Sequence, residues 1–135
     1  MLTSLGRTTL LVRDYDAAFA FYRDQLGFRA LHDETLANGQ RYLHIGLEPQ
    51  TGEPPVGLWL MRADAADDAL IGRQAGVHPF LVLYTSDCGA TTARLRANGV
   101  TIRRDPETAG GATFSHIADL YGNELLVVQL QRAQA

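Results

Sequence analysis

The chain has 135 residues, 46% of them hydrophobic and 20% charged, with a formal net charge of −3. That is one domain's worth of residues in an ordinary globular composition, long enough to bury a core, and the slight acidity without a basic cluster argues against nucleic acid as a partner. No run approaches a transmembrane length, residues 1–7 lack the apolar stretch of a signal peptide, and a single cysteine, Cys88, rules out an intrachain disulfide; no membrane partner and a cytoplasmic location are therefore expected.

In chain order, residues 5–13 read as a first strand and Asp14 to Leu26 as a helix. The Asp14 carboxylate can accept from the open N–H groups of the first turn, Ala18, Tyr22 and Leu26 recur at helical spacing, and Gly27 supplies a left-handed stop. Phe28 to about Leu36 is a second strand, Asn38-Gly39 a hairpin turn, and Arg41 to Leu47 a third strand. Glu48 to Pro55 is broken by proline and glycine into a loop, and Val56 to Arg62 is a fourth, apolar strand. Ala63 to Gly76, rich in Ala and Asp, bridges to the rest with a short helix expected in its middle. Asp64, Asp67 and Asp68 there read as a solvated face.

Val77 to Thr85 is the fifth strand, with Pro79 favouring an edge or a late start. Asp87 to Asn98 is the second helix, Val100 to Arg104 the sixth strand and Asp105 to Gly111 a loop, in which Gly110-Gly111 is either a lid or a turn. Ala112 to Ala118 and Asn123 to Leu130 are the seventh and eighth strands, and Gln131 to Ala135 is a frayed tail. Cys88 stands near a helix start but has no basic sequence neighbour, so it is a poor nucleophile.

The order is βαβββ twice. Gly27 and Gly99 stand 72 positions apart, as do His44 and His116 in the similar strings Tyr42-Leu43-His44-Ile45 and Phe114-Ser115-His116-Ile117, while Asp14 and Asp87 differ by 73. Two long copies at a nearly fixed offset indicate a duplicated module, where a solenoid would need several shorter ones. The expected architecture is α+β: two βαβββ modules, residues 1–62 and 77–130 with a 63–76 linker, forming curved sheets around a central cleft with helices outside. Ligands commonly occupy such clefts.

Val12-Arg13-Asp14, Ala18 and Phe21-Tyr22-Arg23-Asp24-Gln25-Leu26-Gly27-Phe28 resemble the opening of vicinal-oxygen-chelate proteins, the glyoxalase, bleomycin-resistance and extradiol-dioxygenase superfamily. Asp87, Leu95, Gly99-Val100 and Asp119-Leu120-Tyr121-Gly122-Asn123 agree in the second module, with Leu120 where the family pattern has proline. The resemblance implies metal ligands on the first, fourth, fifth and eighth strands, and maps them to Arg7, Trp59, Phe80 and Leu126. None of these side chains offers a lone pair to a divalent ion, so the usual metal site is expected to be absent and no cofactor is expected. It also implies a homodimer.

Taking Arg7 as inward, strand alternation lines the cleft with Thr9, Leu11, Tyr42, His44, Phe80, Val82, Tyr84, Phe114, His116, Leu126 and Val128, while Leu43, Ile45 and Leu47 suit the helix side. With Trp59 as a stacking ring, the lining suits a planar or partly apolar organic ligand. Arg7 either meets a ligand carboxylate or phenolate or is a surface arginine. His44 and His116 read as proton carriers, as polar anchors or as ordinary strand histidines, and more remotely as a two-histidine metal site. The first functional reading is a metal-free protein that binds a small aromatic or amphipathic molecule, similar to antibiotic-sequestering resistance proteins. The alternatives are a metal-dependent lyase or dioxygenase of the same superfamily, and a metal-free enzyme with His116 or His44 as base.

Overall fold

A computed structural model describes residues 1–48 and 55–131. Both helices begin where a carboxylate can cap them. The Asp14 side chain accepts from the Ala17 N–H at 2.7 Å, starting α1 (Tyr15–Leu26), and Asp87 accepts from Ala90 at 2.9 Å, starting α2 (Cys88–Ala97). Each spends an otherwise orphan first-turn donor on a negative charge at the positive end of the helix. Gly27, at φ 78°, ends α1 in the left-handed region, and its N–H returns to the Arg23 carbonyl.

The chain divides into two compact units, residues 1–71 and 72–135. In the first, β1 (Arg7–Val12), β2 (Arg29–Thr35), β3 (Arg41–Gly46) and β4 (Gly57–Arg62) form a sheet in the order β1-β4-β3-β2. The β1–β4 pair is parallel and the others antiparallel. Leu10 and Val12, Leu43 and Ile45, and Leu58 and Leu60 are buried, as are Ala18 and Tyr22 of α1. Tyr22 stacks edge-on against Phe28, with ring centres 5.2 Å apart. Each such aliphatic side chain taken from water contributes about 1.5–3 kcal/mol.

The second unit repeats the pattern. Its strands β5 (Leu81–Tyr84), β6 (Ile102–Ala109), β7 (Ala112–Ala118) and β8 (Glu124–Leu130) lie in the order β5-β8-β7-β6. Leu95, Ile117, Leu125 and Val127 are buried with α2's Cys88 and Thr92. Here the core includes polar groups that satisfy one another. The Thr92 hydroxyl donates to the Cys88 carbonyl at 2.7 Å and lies 2.8 Å from the Ser115 hydroxyl, and the Cys88 thiol faces the Val127 carbonyl at 3.5 Å. Cys88 is fully buried and tied into this cluster. The segment before β8 is a turn organised by Asp119. One carboxylate oxygen accepts from the N–H groups of Tyr121, Gly122 and Asn123, and the other from the Asn123 amide. That holds the turn without the family's proline, and Leu120 there is exposed.

The fold is α+β, built from two βαβββ modules. Several local expectations need correction. The sixth strand runs on through Pro106 to Ala109, because β6 is a sheet edge and register shifts on either side of Arg104 accommodate a residue without an N–H. Gly110-Gly111, at φ 59° and 79°, is consequently the two-residue turn of the β6–β7 hairpin, not part of a loop lid. The fifth strand starts at Leu81, the late start that Pro79 favoured, and the short helix expected in the bridge is one 3₁₀ turn, Asp68–Leu70. Leu47 falls past the end of β3 and is exposed, so it does not join Leu43 and Ile45 on the helix side. Of the expected loop and tail, residues 49–54 and 132–135 lie outside the described residues.

Candidate functional site

With one face of each sheet packed on its helix, the other face carries the remaining alternate side chains. In the first unit the register sets Thr9, Trp59, His44 and His32 in one row across the four strands. The Trp59 and His44 rings are 5.0 Å apart and His32 stands 5.7 Å beyond His44. Tyr42 packs edge-on against Trp59 at 5.5 Å. The result is a half-buried aromatic patch on the helix-free face.

Arg7 belongs to the same patch. Its Nε donates to His44 Nδ1 at 3.1 Å, and its Nη1 donates to the carbonyls of Pro55 at 2.8 Å and Gly6 at 3.0 Å. Gly57 on β4 is the register partner of Arg7 and, across the β3–β4 ladder, of Gly46. A Cβ on Gly57 would stand 2.6 Å from the Ile45 carbonyl oxygen, 2.7 Å from the Leu31 methyl and 3.4 Å from the Arg7 stem. The absent side chain at Gly57 therefore leaves room for the Arg7 stem.

Because an arginine N–H only donates, His44 Nδ1 must accept, and the ring's remaining hydrogen sits on Nε2. Burial, then the Arg7 charge, then His32 hold His44 below the ordinary imidazole value of 6.5. The ring is kept neutral. Two nitrogen atoms of the patch, His44 Nε2 and Trp59 Nε1, are buried with no hydrogen-bond partner among the described residues.

In the second unit the matching row is Val82, Leu126, His116 and Arg104. Tyr84, Val128 and Phe114 form the next row on the same face, and the Phe114 and His116 rings are 6.0 Å apart. Tyr84 and Val82 at the sheet edge are 68% and 49% exposed, so they are less enclosed than the alternation implies. Phe80 precedes β5, and its N–H donates to the Glu124 carbonyl at 2.7 Å. His116 Nδ1 stands 3.5 Å from Glu124 Oε1, with both side chains more than four-fifths buried.

The expected site residues thus fall into two groups: Arg7, Tyr42, His44 and Trp59 in the first unit, and Phe80, Tyr84, Phe114, His116 and Leu126 in the second. The sequence reading passed over three contributors. Glu124 was recoverable, since it lies two residues before Leu126 and so on the same face. His32 was not, because a bulge between Ala30 and His32 reverses the face it shows. Gly57 carried no local signal beyond being a glycine in a strand.

The positions mapped to metal ligands do not fit a divalent ion. Arg7 is a cation already committed to His44 and two carbonyls, the Trp59 nitrogen is a donor only, and Phe80 and Leu126 present carbon. Among the described residues no three His, Cys, Asp or Glu side chains are grouped to hold an ion. A separate polar cavity of about 490 Å³ lies at the hairpin end of the first sheet, lined by Tyr15, Asn38, Gln40, Arg41, Met61 and Arg62 among others. It is a less suitable site than the aromatic patch, because its Arg41 is spent on Asp33 and Asp16, at 2.9 and 2.8 Å.

Duplicated βαβββ modules, each with an aromatic helix-free sheet face, define the class: glyoxalase-like α+β proteins. The family model of the Glyoxalase/Bleomycin resistance protein/Dioxygenase superfamily matches residues 4–127, and the chain belongs to that superfamily. An uncharacterized protein of Shewanella frigidimarina (strain NCIMB 400) is 33% identical over 135 residues, 99% of this chain and 98% of the relative. The crystal structure of UcmS2 superposes with a TM-score of 0.78 at 30% identity, covering 95% of this chain and 98% of that one. TnmS3, an antibiotic binding protein from Streptomyces sp. CB03234, gives 0.76 at 24% identity over 96% and 98%. At that identity the likeness to TnmS3 is one of fold.

Proposed function

We propose that this protein binds a small aromatic or amphipathic organic molecule on the helix-free sheet faces, without a metal ion and without altering its ligand. The observation that carries this reading is the pair of half-buried rings Trp59 and His44, flanked by half-buried Tyr42 and exposed His32, a stacking surface at the place where metal-dependent relatives would hold an ion. Arg7 acts there as the group that fixes His44, and Phe114, His116 and Leu126 lie on the corresponding face of the second unit. The fold shared with TnmS3 supports the same use. We further propose a cytoplasmic homodimer, from the family resemblance and the free, buried Cys88.

A thermal-shift survey of aromatic antibiotics and metabolites tests the binding reading. At least one planar compound raises the melting temperature in metal-free buffer, because a ligand that prefers the native state stabilises it. No shift from any of them, or stoichiometric zinc, nickel, iron or manganese in the purified protein, overturns it. Sedimentation as a monomer would refute the dimer.

One contact favours a second reading, a metal-free enzyme. His116 is backed by the Glu124 carboxylate at 3.5 Å, the arrangement that orients an imidazole for proton transfer. If turnover of any bound compound is found, His116→Ala abolishes it under this reading, and an unchanged rate removes His116 as base.

A further inference from the structure

We propose that His44 and Trp59 form a two-donor clamp for the carbonyl-type oxygen of a planar aromatic ligand, with Arg7 as the residue that positions the donors. The inference rests on the binding reading above and names the ligand chemistry that reading leaves open.

Three observations carry it. First, Arg7 Nε donates to His44 Nδ1 at 3.1 Å, which leaves the imidazole only one way to hold its hydrogen: on Nε2, as a donor. Secondly, that Nε2 and the indole Nε1 of Trp59 are both buried and have no partner among the described residues. Buried N–H groups are nearly always paired, so two orphans of the same sign on neighbouring rings are a specific demand, and only an acceptor can meet it. Thirdly, the two rings are 5.0 Å apart and tilted by 43°, close enough for one bound molecule to reach both.

The surroundings select the acceptor. Tyr42 and His32 flank the pair edge-on, which calls for a flat partner. Arg7 already gives its Nε and Nη1 to His44 and to the carbonyls of Gly6 and Pro55, so the buried donors of the patch left without a partner are neutral N–H groups, which suit a carbonyl oxygen conjugated to a ring system. An ammonium, which has no lone pair, would find no acceptor at these two nitrogen atoms. Both nitrogen atoms are covered, so binding requires a local rearrangement whose cost the two new hydrogen bonds offset.

The test compares 9-fluorenone with fluorene, which share a flat tricyclic frame and differ by a carbonyl against a methylene. In calorimetric titrations fluorenone binds about tenfold more tightly, the expected worth of satisfying a buried donor. His44→Phe and Trp59→Phe, which keep a ring and remove one N–H each, lower that ratio toward one while fluorene binding persists. Equal affinity of the native protein for the two probes overturns the clamp and leaves the binding reading standing. So does a ratio that neither variant changes. If neither probe binds, the clamp is refuted, and the reading on which it rests falls as well only when the wider aromatic survey also fails. A ligand-independent check is the nitrogen NMR spectrum of His44. It shows the Nε2–H tautomer in the native protein and a mixture in Arg7→Met, whereas an Nδ1–H tautomer in the native protein refutes the proposal.

Discussion

His44 is the residue at which the electrostatics of this protein concentrate. Its protonated form is disfavoured by burial and by the Arg7 charge, so the folded protein takes up this proton at a lower pH than the unfolded chain, whose value is the ordinary 6.5. Below 6.5 the unfolded state therefore binds more protons, and stability falls as pH drops toward the depressed folded value; above 6.5 the contribution is fully retained. Urea midpoints measured from pH 7.5 to 5 should show the native protein losing stability on acidification more steeply than His44→Phe. Parallel curves would mean that His44 does not carry this linkage. Gly57 makes a second prediction at the same scale. Its alanine variant forces a Cβ within 2.6 Å of a backbone oxygen and 2.7 Å of Leu31, and should lose about 1–3 kcal/mol. The Arg7–His44 bond should loosen with it, visible as a changed His44 tautomer ratio.

Among the elements, the two helices are started by equivalent carboxylates, so Asp14→Ala and Asp87→Ala should each cost about 1 kcal/mol in chemical denaturation. A negligible loss at either would show that tertiary packing alone holds that helix. The caps and the glycine after α1 were legible in the sequence because a capping carboxylate and the amide it serves are three residues apart. The course of β6 was not. Asp105 to Gly111 reads as a loop, and only the strand's place at the sheet edge shows that a residue without an N–H, Pro106, can continue it.

Across the whole molecule the duplicated modules have kept one architecture and diverged in chemistry. The histidines 72 residues apart occupy matching rows, opposite Trp59 in one sheet and Leu126 in the other. His44 is held by a cation at 3.1 Å and His116 lies beside a carboxylate at 3.5 Å. If the protein works without an ion, prolonged treatment with EDTA should leave both its melting temperature and any ligand-induced shift unchanged. A structural metal would instead be lost together with folding free energy. A fall of several degrees after chelation, restored by one metal, would contradict the metal-free reading. No helix among the described residues is long and apolar enough to cross a membrane.

The order of elements, the duplication, the caps and the superfamily were all determined by the sequence itself, since each rests on near neighbours or on one fixed offset. What only the tertiary structure decided is which side chains meet. Arg7 and His44 are separated by 37 residues, and they meet beside Gly57, which carries no side chain to crowd the Arg7 stem. His32 reaches the aromatic row only because one extra residue in β2 turns it to the other face. Alternation predicts a face while the register is regular, and a bulge or an absent side chain changes the partner without changing the pattern.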